Sequence, residues 1–201
     1  MKRVMGNIFR ALAALEKKLL CYLRRIKLAF SPSNLQGNLR ISDDLMLNVP
    51  LRCDGRGKVE IGRNVTLGYP LAPYVGNGEI LIQARETESV VIVGDNTVFS
   101  NNISIISCGS ISIGKDCLIG NNVLIIDSDF HEINPNIRKN GTGFIAPVEI
   151  GDNVWLGIDA IILKGVEIGD NSVVGAGSVV SKNIPANVVA AGNPAVVIRD
   201  I

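Results

Sequence analysis

Between Ile150 and Pro185 the apolar positions recur every six residues. Hexads open at Ile150, Leu156, Ile162, Ile168, Val174 and Val180, always with an aliphatic residue. Gly takes the second place in four of the six, and the fifth place holds Val154, Ala160, Val166, Ser172, Ser178 and Ile184, all small or β-branched. A helix repeats every ~3.6 residues and a strand every two, so neither alone yields a period of six. Short strands joined by corners do, and hexapeptide repeats signal a parallel β-helix. The opening aliphatic residue should point into a narrow prism, with the fifth residue also inward. Gly is expected to permit the corner backbone. Three sides make a coil, so residues eighteen apart stack, as Ile150-Gly-Asp-Asn does over Ile168-Gly-Asp-Asn. The expected fold class is an all-β solenoid.

The same period marks Ile61–Thr66 and Leu67-Gly68, and resumes at Val93, Phe99 and Ile105. The next corner, Ile113, follows Val93 by twenty residues, so a two-residue bulge is expected near 108–111. Hexads continue from Ile113 to Phe130. The solenoid is thus expected over 61–185, with excursions at about 69–90 and 131–149. Residues 31–60 read as lead-in β segments and 186–201 as a tail. The second excursion holds nineteen residues, and a loop of that length in a compact repeat is more often functional than decorative.

Ahead of the repeats, Met5, Ile8, Leu12, Leu15, Leu19, Tyr22, Ile26 and Ala29 alternate at spacings of three and four, which predicts an amphipathic helix over 1–30. Residues 1–30 carry eight basic and one acidic residue, a net of +7, while the rest of the chain sums to −6. Two roles stand open. The helix packs on the body or on its copies, or it lies peripherally on anionic membrane. It is too interrupted by charge to span a bilayer, and no signal-peptide block is evident. The acidic body argues against a nucleic-acid partner. An apolar content of 47% with 4% aromatic suits stacks of Ile and Val. Cys21, Cys53, Cys108 and Cys117 form no C-x-x-C, so neither a zinc site nor another metal site is expected, and the setting is read as cytoplasmic.

The chain has a single histidine, His131, in Asp127-Ser-Asp-Phe-His131, where the coil yields to the long loop. Histidine titrates near neutrality and is the natural general base. Asp127 or Asp129 is the expected partner that orients the imidazole. No P-loop and no G-x-S-x-G motif occurs.

Ile150–Pro185, Asp127–His131 and Ala190-Ala-Gly-Asn-Pro-Ala195 together resemble the hexapeptide-repeat acyltransferases, in the branch of galactoside, maltose and polysaccharide O-acetyltransferases. The resemblance implies a left-handed β-helix and a homotrimer with active sites between subunits, where acetyl-CoA lies along the groove between prisms. It implies His131 as catalytic base, Asn101 as a sugar contact and Trp155 beside the acceptor. It implies a backbone N–H at Gly157–Ile158 for the acyl oxygen. Ala176, Ser181, Lys182 and Arg199 are implied as coenzyme contacts. Val196 departs from the Lys or Arg common there. The implied function is acetyl transfer from acetyl-CoA to a sugar hydroxyl, and the amphipathic helix points to surface polysaccharide biosynthesis, since a lipid-linked glycan acceptor would reward a membrane-facing helix. N-acetylation of an amino-sugar nucleotide and a non-catalytic structural or binding trimer are the alternatives.

Overall fold

The computed structural model describes residues 2–29, 38–73, 75–141 and 143–201. A helix, α1 (Lys2–Ala29), precedes six three-stranded coils. The first holds β1 (Leu39–Ile41), β2 (Met46–Leu47) and β3 (Leu51–Gly55), and the second β4 (Lys58–Ile61), β5 (Thr66–Leu67) and β6 (Ile80–Ala84). The third holds β7 (Val90–Val93), β8 (Val98–Phe99) and β9 (Ser104–Ser107), and the fourth β10 (Ser110–Ile113), β11 (Leu118–Ile119) and β12 (Leu124–Ile126). The fifth holds β13 (Val148–Ile150), β14 (Trp155–Leu156) and β15 (Ile161–Ile162), and the sixth β16 (Glu167–Ile168), β17 (Val173–Val174) and β18 (Val179–Val180). A hairpin of β19 (Val188–Gly192) and β20 (Ala195–Asp200) ends the fold.

Each coil gives one strand to each of three parallel sheets. The first sheet runs β1-β4-β7-β10-β13-β16, the second β2-β5-β8-β11-β14-β17-β19-β20, and the third β3-β6-β9-β12-β15-β18. Among the described strands, only β19 and β20 pair antiparallel. Register follows the repeat, with Ile150 on Ile168, Leu156 on Val174 and Ile162 on Val180. The first and fifth hexad places both point inward. Leu156, Ile162, Val154 and Ala160 are fully buried. Even the inward serines are satisfied: the Ser172 hydroxyl donates to the Pro185 carbonyl at 2.6 Å, and the Ser178 Oγ accepts the Gly192 N–H at 3.1 Å.

The corners correct one expectation. The glycines in second place do not adopt the left-handed backbone. That conformation falls to the fourth place, at Asn153, Asp159, Gly165, Asn171 and Gly177, with φ between 56° and 73°. Asn and Asp tolerate it better than other non-glycine residues. The second-place glycine serves close approach instead: a Cβ on Gly157 would lie 2.6 Å from the Ala176 backbone nitrogen of the next coil. Third-place aspartates tie the corners together. Asp170 accepts the Asp152 N–H at 2.7 Å, and Asp152 accepts the Lys115 N–H at 2.8 Å.

The solenoid starts at Leu39, not at residue 61, since β1 pairs with β4, and β3 with β6. The lead-in is a complete coil without the G-D-N corner. The first excursion is shorter than expected: β6 belongs to the third sheet, so the chain leaves the coil only over 68–79. The second excursion spans 127–147 and closes on itself. Ser128 bridges Ile145, and the Asp129 N–H donates to the Phe144 carbonyl at 3.1 Å. The extra residues between β9 and β10 sit at the corner 108–109.

The end of α1 docks on β2. Arg24 donates to the Leu47 carbonyl at 3.0 Å, Arg25 to the carbonyls of Asp43 and Leu45, and the Leu47 N–H to the Cys21 sulfur at 3.3 Å. Leu28 is buried in the core. At about 100° per residue, these side chains occupy the face opposite Leu12, Leu15, Leu19, Tyr22 and Leu23, all of which are exposed. The helix therefore meets the body with its basic face, and its apolar stripe points away.

Candidate active site

His131 lies where the third sheet gives way to the first. The chain leaves β12, turns through Asp127–His131 and returns at β13. The same corner of the neighbouring coils carries Arg85, then Cys108 and Gly109 on one side, and Lys164 and Gly165 on the other. His131 is exposed. Phe130, just before it, has φ 61°, an uncommon conformation for an aromatic residue. The Arg85 guanidinium lies over the Phe130 ring, 4.6 Å from its centre. A side chain at Gly143 (φ 73°) would collide with the His131 carbonyl and the Asp129 Cβ, so the turn wraps closely around that glycine.

The two carboxylates before the histidine part company. Asp127 is fully buried. Its Oδ2 accepts the Ser107 hydroxyl at 2.6 Å and the Gly109 N–H at 2.8 Å, and its Oδ1 accepts the Cys108 N–H at 2.7 Å. Both oxygens are thus occupied by the corner of the preceding coil. Asp127 is a structural brace, which corrects its expected place beside the imidazole. Asp129 faces the loop, and its Oδ1 pairs with Lys164 Nζ at 2.6 Å. Its Oδ2 is closed off from solvent and has no hydrogen-bond partner.

Asn101 is corrected likewise. It is fully buried; its Oδ1 accepts the Tyr69 N–H at 3.0 Å, and its amide faces the carbonyls of Tyr69, Ala72 and Pro73 at 3.2–3.3 Å. It pins the base of the first excursion and offers a sugar no polar atom. Asn121, one coil on, is also buried, and its Oδ1 has no partner. Sequence reading singled out neither Asn121 nor Lys164.

Of the expected coenzyme residues, Ser181 and Lys182 follow β18 on the edge from the third sheet to the first, the edge that also carries His131, whereas Gly157, Ile158 and Ala176 lie at another corner, between the second and third sheets. These three stack there, and Gly177 donates its N–H to the Ile158 carbonyl at 2.8 Å. The Gly157 N–H is committed to the Val174 carbonyl at 2.8 Å, whereas among the described residues no backbone carbonyl accepts the Ile158 N–H. Trp155, on β14, is 53% exposed. Ser181 and Lys182 lie exposed just beyond β18. Arg199, exposed on β20, donates to the Asp200 carbonyl at 3.1 Å. Val196 is exposed on the same strand. Thus His131 and the Gly157–Ala176 column occupy different edges of one prism.

The comparisons with known proteins agree with this architecture. Residues 147–182 match the bacterial transferase hexapeptide model of six repeats, and residues 90–126 match the hexapeptide repeat of succinyl-transferase. Galactoside O-acetyltransferase of Escherichia coli K12 is 45% identical over 113 residues, which cover 56% of this chain and 55% of that one, so the match spans about half of the curated relative. Among solved structures, the polySia-specific acetyltransferase NeuO is 30% identical with a TM-score of 0.63, over 81% of this chain and 66% of that one. A galactoside acetyltransferase in complex with coenzyme A is 30% identical with a TM-score of 0.62, over 92% of this chain and 81% of that one. The coil is a left-handed parallel β-helix, against the usual right-handed rule for crossovers. By this breadth of likeness, and by the two hexapeptide models within its coils, the chain belongs to the hexapeptide-repeat acetyltransferases.

Proposed function

We propose that the protein moves an acetyl group from acetyl-CoA to a sugar hydroxyl, with His131 as general base. The observation that carries this reading is the setting of the chain's one imidazole. It is exposed on a turn braced from beneath, at the mouth of the long excursion. The imidazole takes the hydroxyl proton as the oxygen attacks the thioester carbon. The Ile158 N–H, free of backbone partners, supports the tetrahedral oxyanion, a contribution of about 3 kcal/mol in comparable sites. Collapse breaks the carbon–sulfur bond, and the imidazolium returns its proton to the thiolate. The products are the sugar acetate and CoA. Lys182 and Arg199 supply exposed cations for the coenzyme phosphates, with Ala176 and Ser181 along its path. Replacing His131 by Ala should lower acetyl-CoA turnover by about a hundredfold or more, and a variant that keeps most of its activity would remove the imidazole from the mechanism. A mild loss would favour N-acetylation of an amino-sugar nucleotide. Failure to bind acetyl-CoA in calorimetry would favour a structural trimer.

The working unit in this reading is a homotrimer. His131 and the Ile158 column sit on different edges of one prism, so a second copy is needed to set one against the other. The outer face of the second sheet supports the assembly. Met46, Leu118 and Trp155 line up there in register with Val98 and Val173, each of the three about half exposed. Sedimentation equilibrium reads the mass directly, and a monomer that turns over acetyl-CoA would refute the composite site.

The acceptor in this reading is a glycan intermediate of surface polysaccharide biosynthesis at the cytoplasmic face of a membrane. The outward apolar stripe of α1 and the +7 charge of residues 1–30 support peripheral contact with anionic lipid. Among the described residues, no helix is long and apolar enough to cross a membrane. The full chain should float with phosphatidylserine-containing vesicles and not with neutral ones. Replacing exposed Leu15 and Leu19 by Gln should abolish flotation, and unchanged flotation would exclude the stripe as the contact.

A further inference from the structure

The turn bearing His131 is held by a residue thirty-five positions away from the carboxylate it grips. Lys164 stands on the corner between β15 and β16, at the end of the coil that follows the long excursion. Its ammonium meets Asp129 Oδ1 at 2.6 Å, and both side chains are only 27% exposed. The backbone locks the same level: Gly165 donates its N–H to the Ala146 carbonyl at 3.1 Å, and Ala146 donates to the Asp127 carbonyl at 3.0 Å. An ordinary surface ion pair leaves the second carboxylate oxygen in water. Here Oδ2 is shut away from solvent and lacks a donor. A buried acceptor left open in an otherwise satisfied corner calls for an explanation. The nearest titratable donor along the chain is the imidazole of His131, two residues on. Two donors of the turn are committed elsewhere: the Asp129 N–H goes to the Phe144 carbonyl and the Phe130 N–H to the Ser128 hydroxyl.

We propose that Lys164 is a positioning residue for His131, acting through Asp129. The ammonium fixes one carboxylate oxygen and so aims the other at the imidazole N–H when the site is assembled. The ring is thereby held in one tautomer, with its other nitrogen bare to take the hydroxyl proton. Asp129 keeps its charge throughout and no proton passes to it. This inference rests on the reading of His131 as the base, and the tests separate the two.

Because the chain has one histidine, selective ¹⁵N-histidine labelling reports a single ring in the intact protein. The wild type with acetyl-CoA should show one neutral tautomer. Lys164→Met and Asp129→Asn should each show a mixture of the two. Turnover should fall about tenfold in both, in kcat and not in the KM for acetyl-CoA. The Lys164→Met/Asp129→Asn double variant should be no slower than Asp129→Asn alone, because the two act as one unit. An unchanged tautomer ratio in Lys164→Met, or losses that multiply in the double variant, would overturn the proposal. If His131→Ala stays active, the mechanism falls, and the tautomer ratio still decides whether Lys164 reaches the ring.

Discussion

Asp127 separates a brace from a catalytic partner, and the two roles predict opposite outcomes. Its carboxylate accepts two backbone N–H groups and one hydroxyl, all at 2.6–2.8 Å, in a fully buried position. Asp127→Asn keeps one acceptor oxygen and turns an NH₂ towards a second buried donor. An unsatisfied buried donor costs about 1–3 kcal/mol, and the surviving bonds lose their charge assistance, so a loss of about 3 kcal/mol is expected. For a chain of this size each kcal/mol moves the midpoint by about 2–4 °C, which puts the Asn variant about 6–12 °C below wild type. Asp127→Ala forfeits all three bonds and should fall further. The assay is a thermal melt followed by circular dichroism, beside kcat measured well below the transition. Per folded molecule, kcat should stay within about twofold of wild type. An Asn variant that melts with the wild type but loses activity by more than tenfold would refute the structural assignment and return Asp127 to the imidazole.

Three other outcomes follow from the corners and the core. Gly157→Ala forces a Cβ to within 2.6 Å of the Ala176 nitrogen, and overpacking of this kind costs about 1–3 kcal/mol or more, so the melt should drop and acetyl-CoA affinity should weaken with it. At the fourth hexad place, Asn171→Ala should lose about 1–2 kcal/mol to the left-handed backbone, beyond its ladder bonds to Asn153 and Asn187, while Asn171→Gly loses the ladder alone; equal denaturant midpoints for the two would exclude the backbone argument. Burial pushes the Cys53 thiol up to about 12 from 9.0, and also raises Cys108 and Cys117. A thiol whose folded value is raised contributes stability that is intact below the unfolded value and is lost as pH climbs from about 9 towards 12. The unfolding free energy from urea melts should therefore fall above pH 9, by about 1.4 kcal/mol per pH unit from Cys53, and less steeply in Cys53→Ala.

The coil from Ile150 to Val180 was legible because each hexad repeats its own corner chemistry. The first coil was not, since its opening corner reads Ser42-Asp43-Asp44, with serine and aspartate where the later corners carry glycine and asparagine. The placing of His131 beside the long excursion could be read from the break in period. The duties of its polar neighbours could not. Asp127 and Asn101 look like reactive groups when written in a line, yet buried amides and carboxylates serve open backbone donors and acceptors as readily as substrates. Lys164 and Arg85 were invisible for the opposite reason: they reach the histidine turn only through the stacking of coils. The stripe on α1 was plain in the spacing of its leucines. That the body would take the other face depended on carbonyls of residues 42–47 that no helical period reveals.

A ladder of parallel rungs has no natural last rung, and an open one is a template for another molecule. On the longest sheet both extremities are stoppered. Side chains of α1 answer the exposed carbonyls of the first rung, and β20 reverses direction at the last, so an incoming rung meets the wrong hydrogen-bond pattern. The repeat supplies the means to grow a fibre, and these two plugs make it a particle of fixed length.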